Sequence, residues 1–233
     1  MRVLRSSDSR GHFDFGWLDT RHSFSFGDYF DPDHHHYRAL RVLNEDVVRP
    51  GQGFGTHGHK DMEILTWVLS GALEHKDSLG SHGVIRPGEA QVMSAGTGIR
   101  HSEFNHSATE PVHFLQIWLL PEAKDLAPRY GQVDFAPAEL ANRWRLIASR
   151  DGAEGSVVIF QDIRIHAARL SAGTSLPALL PAGRFGYLQV ATGKVRLEDG
   201  TVLAQGDALK IWEEGGLTVT AEVASEVLWF DLP

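Results

Sequence analysis

The sequence predicts an all-β chain built from two related β-domains. Turn glycines recur every 8 to 15 residues or so, and the runs between them, at 63–69, 91–94 and 112–120, are short and rich in β-branched and aromatic residues. Helical periodicity is scarce; the segment 136–141, with Pro137 near its start, reads as one short helix with Trp144 packing inward. An internal repeat completes the prediction. Thr66-Trp67-Val68-Leu69-Ser70-Gly71 is echoed by Leu188-Gln189-Val190-Ala191-Thr192-Gly193, Pro87-Gly88-Glu89-Ala90 by Gln205-Gly206-Asp207-Ala208, and the run from Phe114 to Pro121 by that from Glu226 to Pro233. The offset shrinks from 122 (Gly71 to Gly193) through 118 (Gly88 to Gly206) to 112 (Phe114 to Glu226), as a second copy with shorter loops requires. The expected organisation is an N-terminal domain over 1–121, a linker over 122–144 where Pro, Ala and charge mix, and a C-terminal domain over 145–233.

Composition narrows the function. The chain has 233 residues, 42% of them hydrophobic and 22% charged, an ordinary globular balance with core enough for two domains. A net charge of -8 and the lack of a Lys/Arg cluster argue against direct nucleic-acid binding. With no cysteine, disulfides, thiolate metal sites and Cys nucleophiles are excluded, and any metal must be held by nitrogen and oxygen. The first residues are too polar for a signal peptide and no apolar run approaches a membrane span, so a cytoplasmic location is expected.

Along the chain, the aromatic cluster Phe13, Phe15, Trp17, Phe24, Phe26, Tyr29 and Phe30 alternates like strand residues packing a sheet or a domain interface, in preference to stacking on a substrate. The run His34-His35-His36 follows Asp31-Pro-Asp and reads as a solvated loop. The chemistry lies in two short motifs, His57-Gly-His59 and His101-Ser-Glu103. On an extended strand, residues two apart point to the same face, so each pair can aim two donors at one point and two neighbouring strands can close one site. Three imidazoles and a carboxylate suit a borderline divalent transition metal rather than calcium or magnesium. Glu63 shares the parity of His57, so alternation alone leaves Glu63 and Glu103 both open as the carboxylate ligand. His113 sits among apolar residues as a packed strand histidine, whereas His75, His82 and His106 have loop-like neighbours and no pairing pattern. Gly96-x-Gly98 precedes no helix and is no nucleotide loop. Projected through the repeat, the four donor positions become Leu179, Pro181, Val219 and Ala221, which leaves the C-terminal domain without metal ligands.

These motifs resemble those of the cupins. Gly51-x5-His57-x-His59-x3-Glu63 matches the first cupin motif; Gly88-x7-Gly96 with His101-x3-Asn105 matches the second more loosely, with Ser94 in place of the usual Pro and two extra residues before His101. Within the cupins, Leu40-Arg41-Val42-Leu43-Asn44-Glu45-Asp46, His57-Gly-His59-Lys-Asp-Met-Glu63 and Met93-Ser-Ala-Gly-Thr-Gly-Ile-Arg-His101-Ser-Glu103 are similar to the pirin family, and the resemblance spans essentially the whole chain.

That resemblance implies two cupin barrels in one chain, with one metal in the N-terminal barrel held by His57, His59, His101 and Glu103; Glu63 is then a partner that orients a ligand imidazole. It implies Fe(II), with Cu, Ni, Co, Mn or Zn as substitutes, and an activity like that of bacterial quercetin 2,3-dioxygenases. In that activity Glu103 takes the 3-hydroxyl proton of a flavonol, dioxygen adds, and the central ring opens with loss of carbon monoxide. Two other roles stay open for such a chain: a non-catalytic metal-binding sensor or protein-interaction module acting through a protein partner, and a different cupin enzyme.

Overall fold

The computed structural model describes residues 1–233, and its elements are almost all strands. They group into two compact units that are not contiguous in sequence. The N-terminal unit is Gly11–Asp134 with Val157–Gln161; the C-terminal unit is Met1–Arg10, Phe135–Ser156 and Asp162–Pro233.

In the N-terminal unit a seven-stranded antiparallel sheet runs in the order β12 (Arg129–Asp134), β9 (Glu89–Ser94), β6 (Glu63–Ser70), β11 (Val112–Leu119), β4 (Leu40–Val48), β3 (Leu18–His22), β2 (Gly11–Asp14). A four-stranded sheet runs β5 (Gly53–His59), β10 (Ile99–Asn105), β7 (Leu73–Asp77), β8 (His82–Ile85). The core lies between them: Val48, Val68, Val112 and Phe114 of the larger sheet meet Leu73 and Ile85 of the smaller. Each such fully buried side chain stabilises the unit by about 1.5–3 kcal/mol relative to exposure. The three β-rich runs of the sequence fall on β6, β9 and β11.

The C-terminal unit repeats the plan. One sheet includes β1 (Arg2–Arg5), β20 (Ala208–Trp212), β17 (Phe185–Thr192), β22 (Ser225–Leu232), β15 (Arg164–Leu170) and β13 (Arg145–Ser149); the other is β16 (Ser175–Leu179), β21 (Gly216–Ala221), β18 (Lys194–Leu197), β19 (Val202–Ala204). The short helix expected near 136–141 is α1 (Pro137–Leu140), and Trp144 packs on this unit's core while its indole N–H donates to the Pro177 carbonyl at 2.8 Å. No helix is long and apolar enough to cross a membrane.

The compact units depart from a linear division at 1–121, 122–144 and 145–233 in three places. β1 pairs with β20, Arg2 opposite Ile211 through Arg5 opposite Ala208, and so covers a sheet edge that would otherwise expose unpaired backbone groups. The Met1 ammonium and Arg2 hold it there through Glu214, with Arg2 also pairing with Glu198 and Asp199. Within 122–144, Arg129–Asp134 is not linker but β12, paired along β9. The segment Val157–Gln161, with the two-residue β14 (Val157–Val158), belongs to the N-terminal unit.

The repeat survives in the backbone, and register moves its ligand equivalences by one or two residues. Gly71 and Gly193 both turn with positive φ, 78° and 82°. Two residues later Leu73 pairs with Asn105 and Val195 with Ala221. The counterparts of His101 and Glu103 are therefore Leu217 and Val219, and those of His57 and His59 are Ala178 and Leu180, not the Leu179, Pro181, Val219 and Ala221 that counting suggests. All four are apolar members of the C-terminal core, so the position that holds donors in one unit is packed with hydrocarbon in the other.

A Cβ on Gly71 would collide with the Pro111 carbonyl oxygen and the Val112 Cα, on a backbone that L-residues avoid. Gly71→Ala is expected to lower stability by about 2 kcal/mol or more, read from the shift of the urea midpoint, whereas alanine at Gly80, which meets nothing, costs only its left-handed backbone.

Candidate metal centre

β5 and β10 run antiparallel with His57 opposite His101 and His59 opposite Ile99. Alternation along β10 turns Ile99, His101, Glu103 and Asn105 inward, all buried. A register shift between His101 and Glu103 brings Glu103 opposite Phe54. The rings of His57, His59 and His101 cluster with centroids 4.4–4.9 Å apart, and their ligating nitrogens lie within 4.8 Å of one another. Nε2 of His101 is 3.0 Å from Nε2 of His57.

His57 Nδ1–H donates to the Gly55 carbonyl at 2.8 Å, so the neutral ring presents an Nε2 lone pair to the cluster. Two nitrogens bound to one metal at about 2.1 Å and at right angles lie about 3 Å apart. The donor set and this spacing fit one divalent transition metal. Burial pushes His101 down to about 2, helped by the neighbouring imidazoles, and His59 to about 4, so both rings are neutral and able to ligate near pH 7.

Glu103 lies deeper. Both of its oxygens accept from Gln116 Nε2 at 3.0 Å, and Thr66 donates in turn to Gln116 Oε1 at 3.2 Å. Burial raises the Glu103 carboxyl to about 7, with the nearby Asp46 charge adding to it against the Gln116 bond. Its distance class differs from that of the imidazoles: the cluster that brings Glu103 within 4.8 Å contains His75 and His101, not His57 and His59. Glu63, the other carboxylate of matching parity, accepts from Ser94 Oγ at 2.8 Å and from the Phe160 N–H at 3.1 Å. It orients no imidazole; instead Ser94, standing where cupins usually have Pro, donates to Glu63, and Glu63 ties in Val157–Gln161 through the Phe160 N–H.

The three imidazoles and Glu103 open on a cavity of about 270 Å³ inside the N-terminal unit, the scale of a small-molecule site. Phe13, Phe15, Phe26, Phe54, Ile64 and Trp118 are among its apolar walls, and Asn44, Asp46 and Gln116 among its polar ones. Phe13, Phe15 and Phe26 thus line a cavity, against the expectation of core packing for the whole aromatic cluster; of that cluster Phe24 is buried core, Trp17 packs edge-on to Phe54, and Phe30 is exposed. Trp118 and Asn44 line the cavity, and the indole N–H of the one and Oδ1 of the other are buried without a protein partner.

Other histidines separate cleanly. His82 and His106 both meet Glu74 on the surface, His113 meets Glu45 at 3.0 Å, and His34 pairs with Asp31. His75 does not fit the loop-like expectation: it lies on β7, fully buried, between Asp77 and His101. His75-Lys-Asp77 has the same one-apart alternation as the two ligand motifs, which was the available signal. Asn44, Asp46 and Gln116 carried a weaker one, polar residues inside apolar strand runs.

A two-sheet barrel of this kind, present twice and with inward imidazoles in the first copy only, defines a bicupin with one metal-type centre. Residues 3–119 match the pirin family model, and residues 146–232 match the quercetinase C-terminal cupin domain. The chain belongs to the pirin family. It is 45% identical over 233 residues to quercetin 2,3-dioxygenase of Escherichia coli strain K12, covering 100% of this chain and 99% of that one. The crystal structure of bacterial pirin YhhW from Escherichia coli in complex with nickel(II) superposes with a TM-score of 0.94 at 45% identity, covering 100% and 99% of the two chains. Protein YhaK from Escherichia coli follows the same fold at 33% identity and a TM-score of 0.76, over 96% of this chain and 98% of its own.

Asp46, buried beside Glu45 and bonded by Thr20, has its carboxyl raised by burial to about 7 from the usual 3.8. The folded state then binds this proton more tightly than the unfolded chain does. The group's stabilising contribution is complete below about pH 4 and is lost as pH rises through about 7, a loss of the order of a few kcal/mol. Asp46→Asn, which keeps an acceptor for Thr20, is expected to raise the Tm of the metal-free protein at pH 8 and leave it unchanged at pH 4; equal effects at both would refute the assignment.

Proposed function

We propose that this protein is a metal-dependent dioxygenase that opens the central ring of flavonols such as quercetin with release of carbon monoxide. His57, His59, His101 and Glu103 hold the metal, and the physiological ion is Fe(II). The observation that carries this reading is that three imidazoles and a buried carboxyl share one largely apolar cavity, in a chain 45% identical to an enzyme named for that reaction. A nickel(II) complex of a relative supports a divalent ion, and the nitrogen-rich donor set accepts several, so supply as well as affinity decides which is bound.

When bound, the metal supplies Lewis-acid binding of the substrate's oxygens and a site for dioxygen chemistry. The protein's share follows from the cavity. Phe13, Phe26 and Trp118 receive the flat rings and exclude water, which strengthens every polar contact inside. Trp118 N–H donates to a carbonyl or hydroxyl oxygen of the substrate, and Asn44 Oδ1 accepts from one of its hydroxyls. Glu103 takes the acidic 3-hydroxyl proton on its carboxylate as the flavonolate binds, while Gln116 holds both oxygens in place.

Reconstitution with Fe(II) without air, followed by quercetin in air, is expected to bleach the flavonol band with one carbon monoxide per quercetin. His101→Ala is expected to lose bound metal and turnover together; turnover retained without metal would overturn the reading, and full metal occupancy with no reaction would move it to another substrate or to a sensing role. Asn44→Ala is expected to raise KM for quercetin about tenfold, the worth of one hydrogen bond, with little change for 3-hydroxyflavone.

A further inference from the structure

We propose that His75 and Asp77 are positioning residues that hold His101 in the tautomer whose Nε2 lone pair faces the metal. This rests on the reading of His101 as a ligand. The chain of contacts starts at Asp77, whose Oδ1 accepts the backbone N–H groups of Leu79 at 2.9 Å and Ser81 at 3.0 Å. Its Oδ2 is left for Nε2 of His75 at 3.0 Å. Burial pushes the Asp77 carboxyl up, but the bonds from His75, Ser81 and Leu79 more than offset it, so the group is an acceptor only. His75 Nε2 therefore carries the proton. A neutral imidazole has one N–H, so His75 Nδ1 presents a lone pair, 3.4 Å from Nδ1 of His101. Two lone pairs would repel there, as they would between the Nε2 atoms of His101 and His57 at 3.0 Å; a cation shared by the two Nε2 atoms removes the second repulsion, so with metal bound His101 Nδ1–H donates to His75 and its Nε2 lone pair faces the ion. The backbone secures the same state of His57 through Gly55, so a side-chain relay and a carbonyl do one job for two ligands.

The C-terminal unit separates this role from a structural one. Asp199, 122 residues after Asp77, makes the same turn, accepting from the Thr201 N–H at 2.8 Å, and its other oxygen pairs with Arg2. The position of His75 is taken there by Leu197, opposite Val219 in the apolar core. The turn needs the aspartate and not the histidine. The histidine occurs in the unit that has the inward imidazoles, buried under the Tyr130 ring at 5.0 Å, where a leucine would pack without needing partners.

The test is made on the full chain. Long-range proton–nitrogen NMR of the Zn(II)-loaded wild type is expected to show His101 as the Nδ1–H form and His75 as the Nε2–H form; His75 in its Nδ1–H form would overturn the relay without a variant having to fold. His75→Leu, copying the C-terminal unit, is expected to weaken Ni(II) binding by about 10–100-fold in calorimetric titration. His75→Asn, whose side-chain oxygen replaces the Nδ1 acceptor, is expected to recover most of that loss. Unchanged Ni(II) affinity in a folded His75→Leu would refute the proposal and leave the ligand reading intact. Loss of the ligand reading itself would show as absent Ni(II) binding in the wild type, whereas failure of the relay alone leaves wild-type binding intact.

Discussion

The antiparallel pairing of β5 with β10 is the constraint on which the rest of this protein depends. It sets His57 against His101, and the strand alternation then decides which neighbours face inward. A one-residue slip would turn every donor to the opposite face. The small displacement that does occur, between His101 and Glu103, leaves the carboxyl deeper in the unit than the imidazoles, bonded to Gln116.

Around that pairing the N-terminal unit manages a polar cluster in an apolar interior. Glu103 is satisfied by Gln116 and Glu63 by Ser94 and Phe160, whereas Asn44 Oδ1 and the Trp118 indole N–H, on side chains that line the cavity, have no protein partner. Desolvation explains both the neutral imidazoles and the raised carboxyls, so the features that suit the site for metal and substrate also burden folding. The C-terminal unit shows the same fold without that burden: Ala178, Leu180, Leu217 and Val219 stand at the ligand positions and pack.

The family boundaries and the compact units describe different things. The former follow the chain, 3–119 and 146–232, while the latter follow strand pairing, which places Met1–Arg10 with the C-terminal unit and Val157–Gln161 with the N-terminal one. An edge strand taken from the far end of the sequence closes β20, and a backbone N–H from Phe160 satisfies a buried carboxylate on β6. Both are backbone hydrogen-bond requirements, which carry no side-chain pattern of their own.

The sequence by itself determined the all-β class, the duplication and the inward imidazole pairs, because alternation and turn glycines are local and survive without any knowledge of neighbours. His57-Gly-His59 and His101-Ser-Glu103 were legible for that reason, as were β6, β9, β11 and α1. Tertiary structure alone decided the rest. Counting along the repeat misplaced the C-terminal equivalences because loop lengths, unlike pairing registers, are free to change. His75 looked like a loop residue until β7 and β10 paired, and Phe13, Phe15 and Phe26 looked like core until the sheets left a cavity between them. Which side chains share a space is a property of long-range pairing, and burial, which shifts the carboxyls and imidazoles, exists only once that pairing has formed.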